Sequence, residues 1–114
     1  MKIVNRTRNF VLADKARIAD SFLSRLVGLL NRSQLDQGEA LVLAPSNSIH
    51  SFFMRFTFDA IFLNRNQRAI AIISGFKPFR ASKVYFNAVT TIELPAGTIQ
   101  SSNTQINDEI VILE

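Results

Sequence analysis

Apolar residues fall along this chain in short runs separated by polar breaks, and the runs have two different spacings. At 2–5, 10–13 and 16–19 they are about four residues long, which predicts three short strands with a tight turn at Asp14 and Lys15 before the third. From 20 to 31 the spacing changes: Phe22, Leu23, Leu26, Val27, Leu29 and Leu30 recur at three and four residues. That pattern places one apolar stripe on a helix over 21–30, with Asp20 or Ser21 as N-cap and Asn31 as C-cap. Gly28 inside such a helix costs about 1 kcal/mol relative to alanine, a cost that close approach of another backbone would explain.

Beyond the polar connection 32–38, the run Ala-Leu-Val-Leu-Ala at 40–44 has strand length, and Pro45 with Ser46, Asn47 and Ser48 breaks it. Segments 49–58 and 60–63 follow, and Asn-Arg-Asn-Gln at 64–67 reads as a hairpin turn with its return strand at 69–73. Gly75 and Pro78 punctuate a connection, 83–94 supplies one or two strands, Pro95 with Gly97 turns the chain, and 109–113 closes it as a last strand. Seven or eight short strands with one helix predict a mainly β (α+β) fold, a compact β-sandwich or partly closed barrel. A length of 114 residues fits one globular domain spanning 1–114.

Composition narrows the function classes. An apolar fraction of 47% against 19% charged residues is that of a globular chain. Without cysteine there is no disulfide framework, thiolate nucleophile or thiolate zinc site, which fits a cytoplasmic location. The first eleven residues carry Lys2, Arg6 and Arg8 but no apolar core of a leader, and no run is long enough to cross a bilayer, so neither export nor membrane insertion is expected. Residues 1–83 hold all 13 Lys and Arg with five acids, net +8, whereas 84–114 hold four acids and no base. This asymmetry predicts either a basic and an acidic face or mutual neutralisation when the last strand pairs with a basic one.

The richest stretch is 48–63, Ser-Ile-His-Ser-Phe-Phe-Met-Arg-Phe-Thr-Phe-Asp-Ala-Ile-Phe-Leu, which sets the only histidine among five phenylalanines. Were 49–58 an unbroken strand, alternation would put His50 with Phe52, Met54, Phe56 and Phe58, and Arg55 with Ser51, Phe53, Thr57 and Asp59. Two readings stay open: a phenylalanine-walled pocket with His50 and Arg55 at its mouth, or a core histidine with Arg55 paired to Asp59. Ser48 or Ser51, His50 and Asp59 can be assembled into a triad on paper, but residues adjacent in a strand diverge and no Gly-x-Ser-x-Gly elbow is present. Asp59, Glu39 and Glu93 lack metal-ligand spacing, no cofactor fingerprint occurs, and Glu93 reads as an anchor for the Pro95–Gly97 turn. Basic residues at 65, 68, 77, 80 and 83, interleaved with Phe76, Phe79 and Tyr85, could form a nucleic-acid strip.

Four blocks resemble the family of domain of unknown function 192, also called uncharacterised protein family 0127. They are Ala-Asp-Ser-Phe-Leu-Ser-Arg-Leu-Val-Gly-Leu-Leu at 19–30, Gly-Glu-Ala-Leu-Val-Leu at 38–43, the 48–63 stretch with its hairpin, and Ile-Glu-Leu-Pro-Ala-Gly at 92–97. The resemblance implies a mostly β fold and no assigned activity. Two departures stand out: Ser46 where close relatives often carry cysteine, and Thr57 where proline is frequent. The reading that emerges is a small soluble binding module for a small ligand or protein partner, leaning away from an enzyme and needing no cofactor or metal. Its expected site is His50, Met54, Arg55 and Asp59, with Arg25 added because the Arg-x-x-Gly block is among those that match. The alternatives are a basic nucleic-acid-binding protein and an enzyme with His50 as general acid or base.

Overall fold

The computed structural model describes residues 1–19, 34–52 and 54–114, and two β-sheets account for most of them. The strands are β1 (Lys2–Asn5), β2 (Phe10–Ala13), β3 (Lys15–Ala19), β4 (Glu39–Leu43), β5 (Phe58–Leu63), β6 (Ala69–Phe76), β7 (Thr90–Pro95) and β8 (Ile110–Leu113); a short helix, α1, occupies Thr98–Ser102. One sheet has the order β2-β1-β8 and the other β3-β4-β7-β5-β6. All pairings are antiparallel except β3 with β4. The two sheets pack as a sandwich and do not close into a barrel. The helix expected over 21–30, with Arg25 and Gly28, lies outside the described residues.

Period-two alternation sorts the side chains into two cores. Ala40 and Val42 of β4, Ile61 and Leu63 of β5, and Ile92 and Leu94 of β7 face the small sheet, where Ile3, Leu12 and Ile110 meet them. Leu41, Leu43, Phe58, Ala60 and Phe62 face the opposite way, against Leu35, Ile49 and Met54. β5 is buried along its whole length because both of its faces are covered. Burying Phe58 and Phe62 completely supplies on the order of 2–3 kcal/mol each.

The outer layer on that second face is an irregular ribbon. Segments 46–51 and 80–89 run antiparallel, held by Ser51 N–H to Arg80 O at 2.8 Å, Ser82 N–H to Ile49 O at 2.8 Å, Tyr85 N–H to Asn47 O at 2.9 Å and a bridge between His50 and Ala81. The unbroken strand considered for 49–58 does not form. Met54 N–H turns back to Ser51 O at 3.1 Å, and Met54 is buried while His50 and Phe52 are exposed, so alternation fails there.

The hairpin read from Asn-Arg-Asn-Gln is present. Asn64 Oδ1 accepts the N–H groups of Asn66 and Arg68, both at 3.0 Å, and Gln67 takes the left-handed backbone with φ 64°. The charge asymmetry is neutralised in part by pairing: β8 lies on β1, and Arg8 Nε meets Asp108 Oδ2 at 3.0 Å.

Candidate functional site

Ser51 organises the ribbon. It is fully buried; its Oγ donates to Lys77 O and accepts the Arg80 N–H at 2.9 Å, while its carbonyl accepts the Phe79 N–H at 3.0 Å. The loop 77–80 is thereby fixed, and at its tip Phe79 adopts φ 60° with 60% of its surface exposed. A bulky residue in the left-handed region is strained, at roughly 1 kcal/mol or more, and such strain concentrates where a side chain must be presented.

Other groups share this outer layer. His50 is exposed and stacks on Phe52, ring centroids 5.1 Å apart and planes 25° apart, while its Nδ1 accepts the Phe52 N–H at 3.3 Å. Phe52 is 43% and Phe86 87% exposed, with Val84 and Val89 also open. Arg55, Lys77, Arg80 and Lys83 are exposed, and segments 46–57 and 77–89 contain no acidic residue. The result is an aromatic surface with a wholly basic rim.

The predicted site residues separate in space. His50 and Arg55 are exposed, Met54 is buried beneath the ribbon, and Arg25 lies outside the described residues. Asp59 lies on the opposite face of β5, fully buried, accepting Gly75 N–H at 2.9 Å on Oδ1 and the N–H groups of Gly97 (3.1 Å) and Ile99 (2.8 Å) on Oδ2. Its carboxylate therefore caps α1 and pins β6 and does not meet Arg55. The turn anchor expected of Glu93 is thus supplied by Asp59. Among the described residues no group of three or more His, Asp or Glu side chains could hold a metal. A groove of about 310 Å³ lies elsewhere, between β2, Asp14, Gly38 and the α1 residues Thr98 and Ser101.

The nucleic-acid strip is dispersed. Phe76 is buried against Phe58, Tyr85 packs on Phe62 at 4.5 Å, and Arg68 donates to Asn107 O at 3.2 Å on the side of the small sheet. Sequence reasoning named Phe79 as a ring of the basic strip but missed its place on the ribbon, because that depends on Ser51 reaching a loop 26–29 residues away. It also missed the buried network of Asn5, Thr104 and Asp108, in which Asn5 Nδ2 donates to Thr104 Oγ1 at 3.0 Å and to Asp108 Oδ2 at 2.9 Å.

The chain is similar to uncharacterised proteins over nearly its whole length. The chain matches the profile of DUF192, described as an uncharacterized ACR, over residues 3–112. It is 33% identical to a UPF0127 protein of Pyrococcus horikoshii, covering 95% of this chain and 96% of that one, and 31% identical to a UPF0127 protein of Thermococcus sibiricus, covering 95% and 72%. A crystal structure of a protein of unknown function from Novosphingobium aromaticivorans superposes with a TM-score of 0.85 at 16% identity, over 98% of this chain and 84% of that one. The chain belongs to the DUF192, or UPF0127, family.

Proposed function

We propose that this protein is a docking module that binds an acidic, apolar-flanked segment of a partner protein on the outer face of the 46–57 and 77–89 ribbon. The observation that carries this reading is Phe79, held in a strained backbone by the buried Ser51 and exposed between Lys77 and Arg80. A cluster of exposed aromatic rings rimmed by Arg and Lys has the composition of an interaction hot spot, in which rings fill partner pockets and rim charges select the partner. His50 contributes its stacked ring and Arg55 a rim charge. Met54 and Asp59 act from beneath, through packing and through the sheet geometry. General acid or base chemistry by His50 gains no support: the Phe52 N–H occupies Nδ1, and no described carboxylate bonds the imidazole.

Selection of a displayed random-peptide library on the immobilised protein tests the proposal. The expected result is enrichment of peptides with Asp or Glu beside an apolar residue, weakened by added salt and lost on the Phe52→Ser, Phe79→Ser, Phe86→Ser triple variant. Equal enrichment on the triple variant removes the docking surface from consideration. Salt-sensitive retention of single-stranded oligonucleotides by the wild type, with no peptide enrichment, would transfer the surface to nucleic acid.

A further inference from the structure

The small sheet ends in a strand whose outer side faces open space. β2 stands at the end of the order β2-β1-β8, with β1 on one side of it. Along its other side runs the groove of about 310 Å³, lined by residues 10–15 and faced by Gln37, Gly38, Thr98 and Ser101. In an antiparallel pair alternate residues turn their N–H and C=O away from the partner strand, so this edge presents main-chain donors and acceptors to the groove. Phe10 and Val11 keep 38% and 50% of their surface exposed, and residues 10–13 contain neither a charge nor a proline, the residues with which folds ordinarily blunt an edge. The strand at the other end, β8, is tied off at its first residue, where Ile110 N–H donates to Gln67 O at 2.9 Å.

One end of the groove is built to close tolerances. Gly38 has φ 89°, and its carbonyl accepts the N–H groups of Asp14 at 3.0 Å and Lys15 at 2.8 Å. A Cβ at Gly38 would stand 2.7 Å from Asp14 Oδ1, so glycine is what leaves the carboxylate room at the groove wall. Asp14 is thereby an exposed acid on a clamped backbone at the end of β2, whereas the Lys15 ammonium sits on a long flexible stem in water. Thr98 and Ser101 of α1 line the same groove.

We infer that this groove takes an extended segment of a partner protein, added antiparallel to β2 as a fourth strand of the small sheet. Main-chain hydrogen bonds to the β2 edge supply affinity whatever the sequence, and side chains along the groove supply selection. The four residues of β2, at about 3.4 Å each, match an equal stretch of partner strand about 13 Å long. Antiparallel addition sets the N-terminal end of that segment against Asp14, which selects a base there by charge complementarity. Beside Val11 a β-branched residue makes the favoured cross-strand pair, and the hydroxyls of Thr98 and Ser101 suit a small polar residue between. The small sheet covers one face of the larger sheet and the ribbon the other, so this site is separate from the docking surface and does not rest on it.

Fluorescence anisotropy with the dye-labelled probe acetyl-Lys-Thr-Val-Thr-Val-Thr-amide tests the inference on the intact chain. Wild type should bind it, and at saturation the β2 amides that face the groove should exchange about tenfold more slowly. Methylating the probe nitrogens that face β2 should abolish binding, while methylating the alternate nitrogens, which face solvent, should leave affinity within about twofold. Ser101→Trp fills the groove from an exposed position and should lose more than about tenfold in affinity with the melting temperature kept. Asp14→Asn should remove the preference for this probe over its counterpart with Glu in place of Lys. The Phe52→Ser, Phe79→Ser, Phe86→Ser triple variant, which disables the ribbon, should bind the probe as wild type does. No binding by wild type at about 1 mM probe, equal loss from both methylation patterns, unchanged binding by Ser101→Trp, or loss on the triple variant would each overturn the site. So would a dimer of the unliganded chain that Ser101→Trp dissolves, which would assign the edge to a second copy.

Discussion

Asp59 and Glu93 occupy adjacent strands, yet Asp59 accepts three backbone N–H groups while Glu93 is buried with its pKa raised by desolvation, so their substitutions should act in opposite directions. Removing Asp59 leaves three buried backbone N–H groups unmet at Gly75, Gly97 and Ile99. Asp59→Ala is expected to destabilise by about 3 kcal/mol or more, read as a lower urea midpoint with an unchanged slope. Glu93→Gln removes a group that must ionise against its burial and should raise the midpoint at about pH 8, leaving it nearly unchanged at about pH 4.5. A midpoint for Glu93→Gln that falls at both pH values would show that the carboxyl has a structural partner.

At the scale of elements, the strands were legible where both partners of the pattern are local. The β5–β6 hairpin announces itself because its turn residues lie directly between its two runs, and Asn64 closes the turn on Asn66 and Arg68. The ribbon and α1 were not legible, since each is created by a distant side chain. α1 is five residues long, too short to persist on its own, and exists where Asp59, from forty residues earlier, binds its first N–H groups. Likewise Ser51, which alternation would place beside Arg55 on an outer face, turns inward because loop 77–80 offers it a carbonyl and an amide. The same dependence limits what the sequence says of the candidate site: His50 and Arg55 are exposed on one ribbon segment and Phe79 and Phe86 on the other, and no local pattern pairs the two. Ser51→Ala should therefore speed amide exchange of Arg80 about tenfold, the equivalent of losing a bond of about 1.4 kcal/mol, while β5 and β7 amides keep their protection. Uniform acceleration across the sheet would show that Ser51 serves the whole fold and not this loop.

Over the whole molecule, pairing redistributes the charge that the sequence segregates. The acidic end is drawn onto the basic N-terminal strands by the β1–β8 pairing and by Arg8 with Asp108, which leaves the ribbon segments 46–57 and 77–89, free of acids, as a basic surface. Asp108 and Glu93 then give stability two pH flanks of opposite slope. Burial of Asp108 opposes its ionisation, but hydrogen bonds from Arg8, Asn5 and the Gln105 N–H outweigh it and hold the carboxyl below its usual range. That contribution is complete above the ordinary value of 3.8 and is lost as pH falls through the depressed folded value. Glu93 acts in reverse. Between its ordinary value of 4.5 and about 8 the folded protein holds a proton that the unfolded chain has released, so stability falls as pH rises, by at most about 1.4 kcal/mol per unit. Urea unfolding from about pH 3 to about pH 9 should accordingly peak at about pH 4–5, well on the acid side of neutrality. Asp108→Asn should flatten the acid flank and Glu93→Gln the alkaline one, each without moving the other. A wild-type profile level between about pH 5 and pH 8 would mean that Glu93 is ionised in the folded state.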